Sequence, residues 1–278
     1  MSKTRFSINS IHFLEMYSNM KVRPAMQGQA DSIIQNSILP NQRRYQEIAL
    51  LVREELNRPS MYRWPLFPSA KPGMPVEERI KINRSLHGLS ETPPDAEGGK
   101  SNPLSLGFKR RIGGKPMMSF ETLGAIIPWY FIALVHYRES GNDFSRHLHN
   151  GDTLKSFTRK VPTHRPYVLH GPPFSFEESA VDALIFQGKK DGWNDHWDLK
   201  NMLIRLEKYN GFGYEMYHGV NSPYLWGGSD FYNRGAYLEL KGNNYKTQWY
   251  GDKISDQVGT AVILKRMEQL GKVSVLKS

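Results

Sequence analysis

Apolar positions recur at helical spacing through residues 6–58. Ile33, Ile34 and Ile38, then Tyr45, Ile48, Ala49, Val52 and Leu56, are separated by charged and amide side chains, which puts an apolar stripe on each of two helices. Pro40-Asn41 predicts the break between them. Over residues 59–123 the periodicity fades. Nine of the seventeen prolines fall there, with Gly98-Gly99 and Gly113-Gly114, predicting an irregular insertion with one short helix over 75–86.

Regular patterning returns at Gly124. Pro128 suits a helix's first turn, where its missing N–H is no loss, and Ser140-Gly141 suits its end. From 142 to 168, short runs separated by Asn150-Gly151 and Pro162 predict a small β-hairpin. Ser175-Phe176-Glu177-Glu178 is a capping box opening a helix over 177–186. A further helix over 198–209 buries Leu199, Met202, Leu203 and Leu206 and stops at Asn210-Gly211. An aromatic, glycine-rich stretch runs through Trp249. The last helix, 254–270, presents Ile254, Val258, Ala261, Val262 and Leu264 to the core and stops at Gly271. No repeat is evident. The expected class is α+β, mainly α, with a small β element on one side, in three segments: N-terminal helices 1–58, the Pro/Gly-rich basic insertion 59–123, and a core segment 124–278.

Composition bounds the function. A chain of 278 residues, 39% hydrophobic and 23% charged, is ordinary for a globular protein and long enough for a sizeable core. No apolar run approaches the ~20 residues that span a bilayer, so no transmembrane segment is expected. The opening MSKTRFSINSIHFLEMY lacks a continuous apolar region and a small-residue cleavage site, so no secretory signal is expected either. The absence of cysteine excludes disulfides, thiolate metal sites and a thiol nucleophile. A net charge of +10 favours a polyanionic partner: nucleic acid, anionic lipid or an acidic cell-wall polymer. Zinc-finger spacing and an aromatic RNP pattern are both lacking, so nucleic acid is not expected. Lys109-Arg110-Arg111 is either an anion contact or a solvated charge run.

The chemistry-bearing candidate is a carboxylate in an apolar place. PWYFIALVHYRESG carries Ile132, Val135, His136 and Glu139 near one helical face, and Glu139 falls at the end of the run. There it meets the negative pole of the helix and loses hydration, and both effects raise its pKa. A carboxyl that holds its proton near neutral pH can serve as a general acid. Asp152, on the turn of the expected hairpin, is the second candidate carboxylate; Asp143 is a third, and Thr153 and Thr158 are candidates to orient a water.

These residues resemble the lysozyme-like peptidoglycan-degrading proteins of phages and bacteria, related to goose-type lysozymes and lytic transglycosylases. The resemblance rests on PWYFIALVHYRES, SRHLHNGDTL and PPFSFEESAVDAL, then on Tyr209 to Tyr214, Asn221 to Ser229 and Val258 to Val262. It covers 124–268, with residues 14–50 similar to the family's opening helices, so that the insertion, which departs from the family's pattern, splits the domain. It implies a lysozyme-like fold and a muramidase that cleaves the β-1,4 bond between N-acetylmuramic acid and N-acetylglucosamine without a cofactor. Glu139 is then the acid, or acid and base, and Asp152 stabilises charge or positions water. The Tyr-Asn-Gly element is similar to the segment that contacts sugar in related transglycosylases, which form an anhydro product instead. Without a signal, the expected route from the cytoplasm to the wall is release by a membrane-permeabilising partner or carriage in a particle, with a phage-infected host as one setting.

Tyr209, Asn210, Tyr214, Tyr224, Trp226 and Trp249 are residue types that stack on pyranose faces or bond N-acetyl groups, and equally types that fill cores. His149 is a hairpin residue bonding backbone or substrate. Two other readings use the same stretch. His136, Glu139, His147, His149 and Asp152 could assemble a zinc-dependent wall hydrolase, although their spacing matches no established motif. A basic wall-binding or virion protein needs no chemistry at all.

Overall fold

The computed structural model describes residues 10–57, 127–168, 170–194, 196–240 and 243–277. The expected insertion, its short helix and its Lys109-Arg110-Arg111 cluster lie outside them. Nine α-helices and two strands occur among the described residues: α1 (Ser10–Asn19), α2 (Pro24–Ile33), α3 (Gln42–Asn57), α4 (Trp129–Ser140), α5 (Phe176–Asp191), α6 (Leu199–Asn210), α7 (Gly213–His218), α8 (Pro223–Trp226), β1 (Ala236–Leu240), β2 (Asn243–Tyr250) and α9 (Thr260–Gln269). The class is therefore mainly helical α+β.

The centre is α4. Seven consecutive residues, Phe131 to Tyr137, are buried, the pattern of a helix enclosed on all sides. It packs against α3, α6 and α9, while α3 also lies on α5 and α1 on α6. Phe13, Met16, Tyr17 and Met20 of the first helix and its C-terminal flank recur at i, i+3, i+4, i+7 and enter the same core, where Phe13 stacks on Trp226 with 6.2 Å between ring centroids. Helices on both sides of residues 58–126 thus share one core.

The structure breaks the N-terminal helices at an additional place. Residues 20–23 leave the helix because Pro24 brings no N–H and Arg23 is extended, its own N–H going to the Gly228 carbonyl. At Pro40 the chain passes through a π-helical turn (Ile34–Ile38) and a 3-10 turn (Leu39–Asn41) into α3. Leu56, placed on the apolar stripe by spacing, is 46% exposed.

The β element is not where periodicity put it. Residues 142–168 form turns with one isolated bridge, Arg146 to Thr153. Their backbone bonds close locally, as from His147 N–H to the Asp152 carbonyl and from Thr158 N–H to that of Arg165, and Pro162 and Pro166 have no N–H for a ladder. The strands come from the aromatic stretch instead, β1 antiparallel to β2 with Tyr237 opposite Trp249. The last helix is also shorter than expected, beginning after Gly259, and Ile254 is 60% exposed. A Cβ at Gly259 would sit 2.3 Å from the Leu225 carbonyl oxygen, so only glycine lets this entry to α9 touch α8. No helix among the described residues is long and apolar enough to cross a membrane.

Candidate active site around Glu139

Helix α4 ends at Gly141, whose N–H bonds the Tyr137 carbonyl, and Asn142 follows, its N–H directed to the His136 carbonyl. The buried Asn142 side chain donates to the Tyr45 hydroxyl (3.0 Å) and to the Ala133 carbonyl (3.2 Å). The Tyr45 hydroxyl in turn meets His136 Nδ1 at 2.9 Å, and His136 Nε2 meets the Asp143 carbonyl at 3.2 Å. Burial pushes the His136 pKa down to about 4, so a neutral ring with Nε2–H completes the chain. These bonds fix the end of α4 and therefore Glu139.

Glu139 is half-buried. Burial raises its pKa to about 7, against the opposing pulls of a Tyr224 hydrogen bond and the charges of Arg138 and Lys160. The Tyr224 hydroxyl donates to Glu139 Oε1 at 3.1 Å. Tyr209 stands close enough for its own ionisation to be opposed by Glu139, and its hydroxyl donates to the Leu148 carbonyl at 2.9 Å. Burial keeps both phenols neutral, with pKa values well above the ordinary one. The guanidinium of Arg138 lies 4.9 Å from the Tyr224 ring centroid. The carboxyl thus has a phenol donor on one oxygen, a cation beside it and a partly open side.

The 143–160 loop is pressed onto this helix end by Gly151. Its φ is +73°, and a Cβ there would fall 2.2 Å from the Glu139 carbonyl oxygen. Gly151→Ala is expected to cost ~2 kcal/mol or more, from the left-handed backbone and the clash together. Urea unfolding checks this, and a loss below ~0.5 kcal/mol would mean that the loop does not press on the helix.

Asp152 has a structural engagement of its own on the loop. Its Oδ2 accepts the backbone N–H groups of Arg159 (2.7 Å) and Lys160 (2.9 Å), so it braces the loop. Asp143 likewise caps Ser145 and pairs with Arg146 at the surface. Thr158 donates to the Pro162 carbonyl, and Thr153 accepts from Lys155 N–H. His149 is buried, with Nε2 2.9 Å from Asp182 Oδ2. Trp226 is a core residue, 1% exposed. Tyr214 is half-buried; its hydroxyl accepts the Tyr237 N–H and its ring packs edge-on to Trp249. Trp249 stacks on His218 at 3.6 Å. Asn210 is exposed at the end of α6, its amide turned to the Gly211 carbonyl. Around Glu139 the structure gathers Tyr209 and Tyr224 of the expected set, and adds Arg138 and Lys160, which were not among the candidate site residues.

The zinc arrangement does not form. His136, His147 and His149 each spend both ring nitrogens on protein partners, His147 on Ser179 Oγ and the Ser156 carbonyl, and His149 on Asp182 and Ser179. Among the described residues no three His, Asp or Glu side chains converge as a metal-binding group. Ser179, His149 and Asp182 line up like a nucleophile triad, yet they are 0%, 6% and 1% exposed, and Asp182 also holds the buried Arg165 at 2.9 Å. The array is a structural tie between the loop and α5. A cavity of about 370 Å³ lies in the adjoining loop, lined by Ser156, Phe157, Thr158, Arg159, Thr163 and His164; Glu139 is not on its wall.

Compared with protein-family models, curated proteins and solved structures, the chain matches none.

Proposed function

We propose that the protein is a peptidoglycan-cleaving glycosidase of lysozyme-like fold, acting on the β-1,4 bond between N-acetylmuramic acid and N-acetylglucosamine with Glu139 as general acid. The observation that carries this reading is a half-buried glutamic acid closing the central helix, with a phenol on one oxygen and a pKa that burial pushes up to about 7. Protonation of the glycosidic oxygen by Glu139 lets the C–O bond break through an oxocarbenium-like state. The net charge of +10 suits an anionic wall polymer.

With Asp152 Oδ2 bound to two N–H groups, a water-activating base opposite Glu139 is weakened. That favours a second reading, in which the muramoyl 6-hydroxyl closes on the anomeric carbon, returns its proton to the Glu139 carboxylate and leaves an anhydro sugar. Mass spectrometry of fragments released from purified walls separates the outcomes: reducing-end muramic acid for hydrolysis, the anhydro form for transglycosylation, and intact glycan with cleaved stems if the glycosidase reading is wrong. Because the acid must be protonated, turnover is expected to fall about tenfold per pH unit above pH 7, following the Glu139 pKa. A rate flat from pH 6 to 9 would remove Glu139 as the donor.

A further inference from the structure

A second buried carboxyl lies behind the site and takes no part in the proton transfer just described. Glu207, on α6, is 5% exposed. It occupies the apolar stripe of its helix, four residues after Leu203 and eight after Leu199. Its Oε2 accepts the Ser222 hydroxyl at 2.6 Å. Ser222 is 2% exposed and is the N-cap of α8, its Oγ accepting the Leu225 N–H at 3.3 Å. Two residues into that turn is Tyr224, whose hydroxyl reaches Glu139 and whose carbonyl accepts the Thr260 hydroxyl at 3.2 Å. A four-residue helix has no axial bonds to spare, so its direction depends on its cap and its flanks.

We propose that Glu207 is a positioning residue of the Glu139 site: by holding Ser222 it orients α8, and so sets the line along which Tyr224 bonds the acid. The proposal rests on the reading of Glu139 as proton donor. The charged groups facing Glu207 are Glu215 of α7 and Arg138 of α4; those facing Glu139 are Arg138 and Lys160. Arg138 therefore acts on both carboxyls, and a test must separate charge from the hydrogen bond. Burial lifts Glu207 as well, to about 7, so the two carboxyls titrate together unless one is replaced.

Glu207→Gln and Glu207→Ala make that separation. Both lack the charge, but only the amide oxygen of Gln can accept the Ser222 hydroxyl. Carboxyl-carbon NMR titration of Glu139, its signal assigned by its loss in Glu139→Gln, is the primary measurement. The Tyr224 bond lowers the Glu139 pKa, so misaligning the phenol raises it. The Glu139 midpoint is expected to be higher in E207A than in E207Q, higher in S222A than in wild type, and no higher in E207A/Y224F than in Y224F alone. In wall lysis, kcat of E207A should fall about tenfold below that of E207Q with KM within about twofold, since a misplaced donor affects the transition state more than binding. Equal midpoints and equal kcat for E207A and E207Q would overturn the proposal. Should E207A not fold, S222A against wild type gives the same decision. If no variant and no wild-type sample cuts walls, the glycosidase reading fails, while the NMR series still reports on the link from Glu207 to Glu139.

Discussion

Replacing Glu139 by glutamine is expected to abolish wall cleavage and to make the protein more stable above pH 7. The amide keeps an oxygen for the Tyr224 hydroxyl but cannot supply a proton, and losing a positioned general acid costs ~10²–10⁴ in rate. The stability gain follows from linkage. The folded chain holds the Glu139 proton to about pH 7, against an ordinary value of 4.5, so between those limits the native state binds the extra proton. Acid therefore favours folding across this window, and above it an ionised, poorly hydrated carboxylate weakens the fold. A shift of this size, discounted because one side of Glu139 is open to solvent, corresponds to ~2 kcal/mol. Urea unfolding of wild type and variant at pH 8 and pH 4.5 should show the difference at the first pH and lose it at the second. A variant that is inactive but no more stable at pH 8 would mean that Glu139 is already charged and hydrated in the wild type, and the acid assignment would fall with it.

Glu139 stood out in the sequence because a carboxylate at the end of FIALVHY is chemically out of place, and Asp182 within AVDALI and Glu207 on the stripe of α6 carry the same local signal. What each partners is set by tertiary contacts that no spacing encodes. The capping box was legible for the opposite reason: Ser175 and Glu178 satisfy each other within one turn, the Glu178 N–H reaching Ser175 Oγ at 3.2 Å and the Ser175 N–H reaching Glu178 Oε2 at 2.8 Å. Helices α4, α5 and α6 followed from period, proline and cap. The strands did not. Tyr237 and Trp249 face each other across the ladder, but glycines and mixed polar residues hide their alternation. The Asn150-Gly151 pair looked like a hairpin turn because the same dipeptide serves wherever positive φ is needed; here that conformation lets the loop touch the Glu139 carbonyl. Trp226 and Tyr224, two residues apart on one short helix and both buried, differ in role by what they touch. One ring stacks on Phe13 in the core, and the other sends its hydroxyl to the acid.

Asp182→Ala should be the most destabilising single change outside the apolar core. Asp182 is 1% exposed and accepts from both Arg165 and His149. Burial alone would raise its pKa; the Arg165 charge and the His149 hydrogen bond instead hold it below the ordinary range. Removing the carboxylate strands the Arg165 guanidinium between Tyr167 and Phe186, at 4.0 Å and 4.6 Å from their ring centroids, in a site with little water. Breaking one side of such a buried pair costs ~3–5 kcal/mol. Asp182→Asn keeps one acceptor oxygen, for Arg165 or for His149 but not for both, and should cost about half as much. The damage would not stay local. His149 and Ser179 tie the loop to α5, the Leu148 N–H donates to Ser179 Oγ, and the Leu148 carbonyl receives the Tyr209 hydroxyl beside Glu139. Wall cleavage by any folded Asp182→Ala is therefore expected to drop along with its urea midpoint. Acid should weaken the same network in the wild type. Burial holds the His147 pKa down to about 4, against an ordinary 6.5, so the unfolded chain takes up the extra proton between those values and stability from this ring is lost as pH falls through them. That loss opposes the acid gain from Glu139 over much of the same range, so Glu139→Gln should unfold more steeply on acidification from pH 6.5 to 4.5 than the wild type does. If Asp182→Ala unfolds within ~1 kcal/mol of wild type, the buried ion pair is not what anchors the loop, and the packing of Gly151 against the helix end must hold it alone.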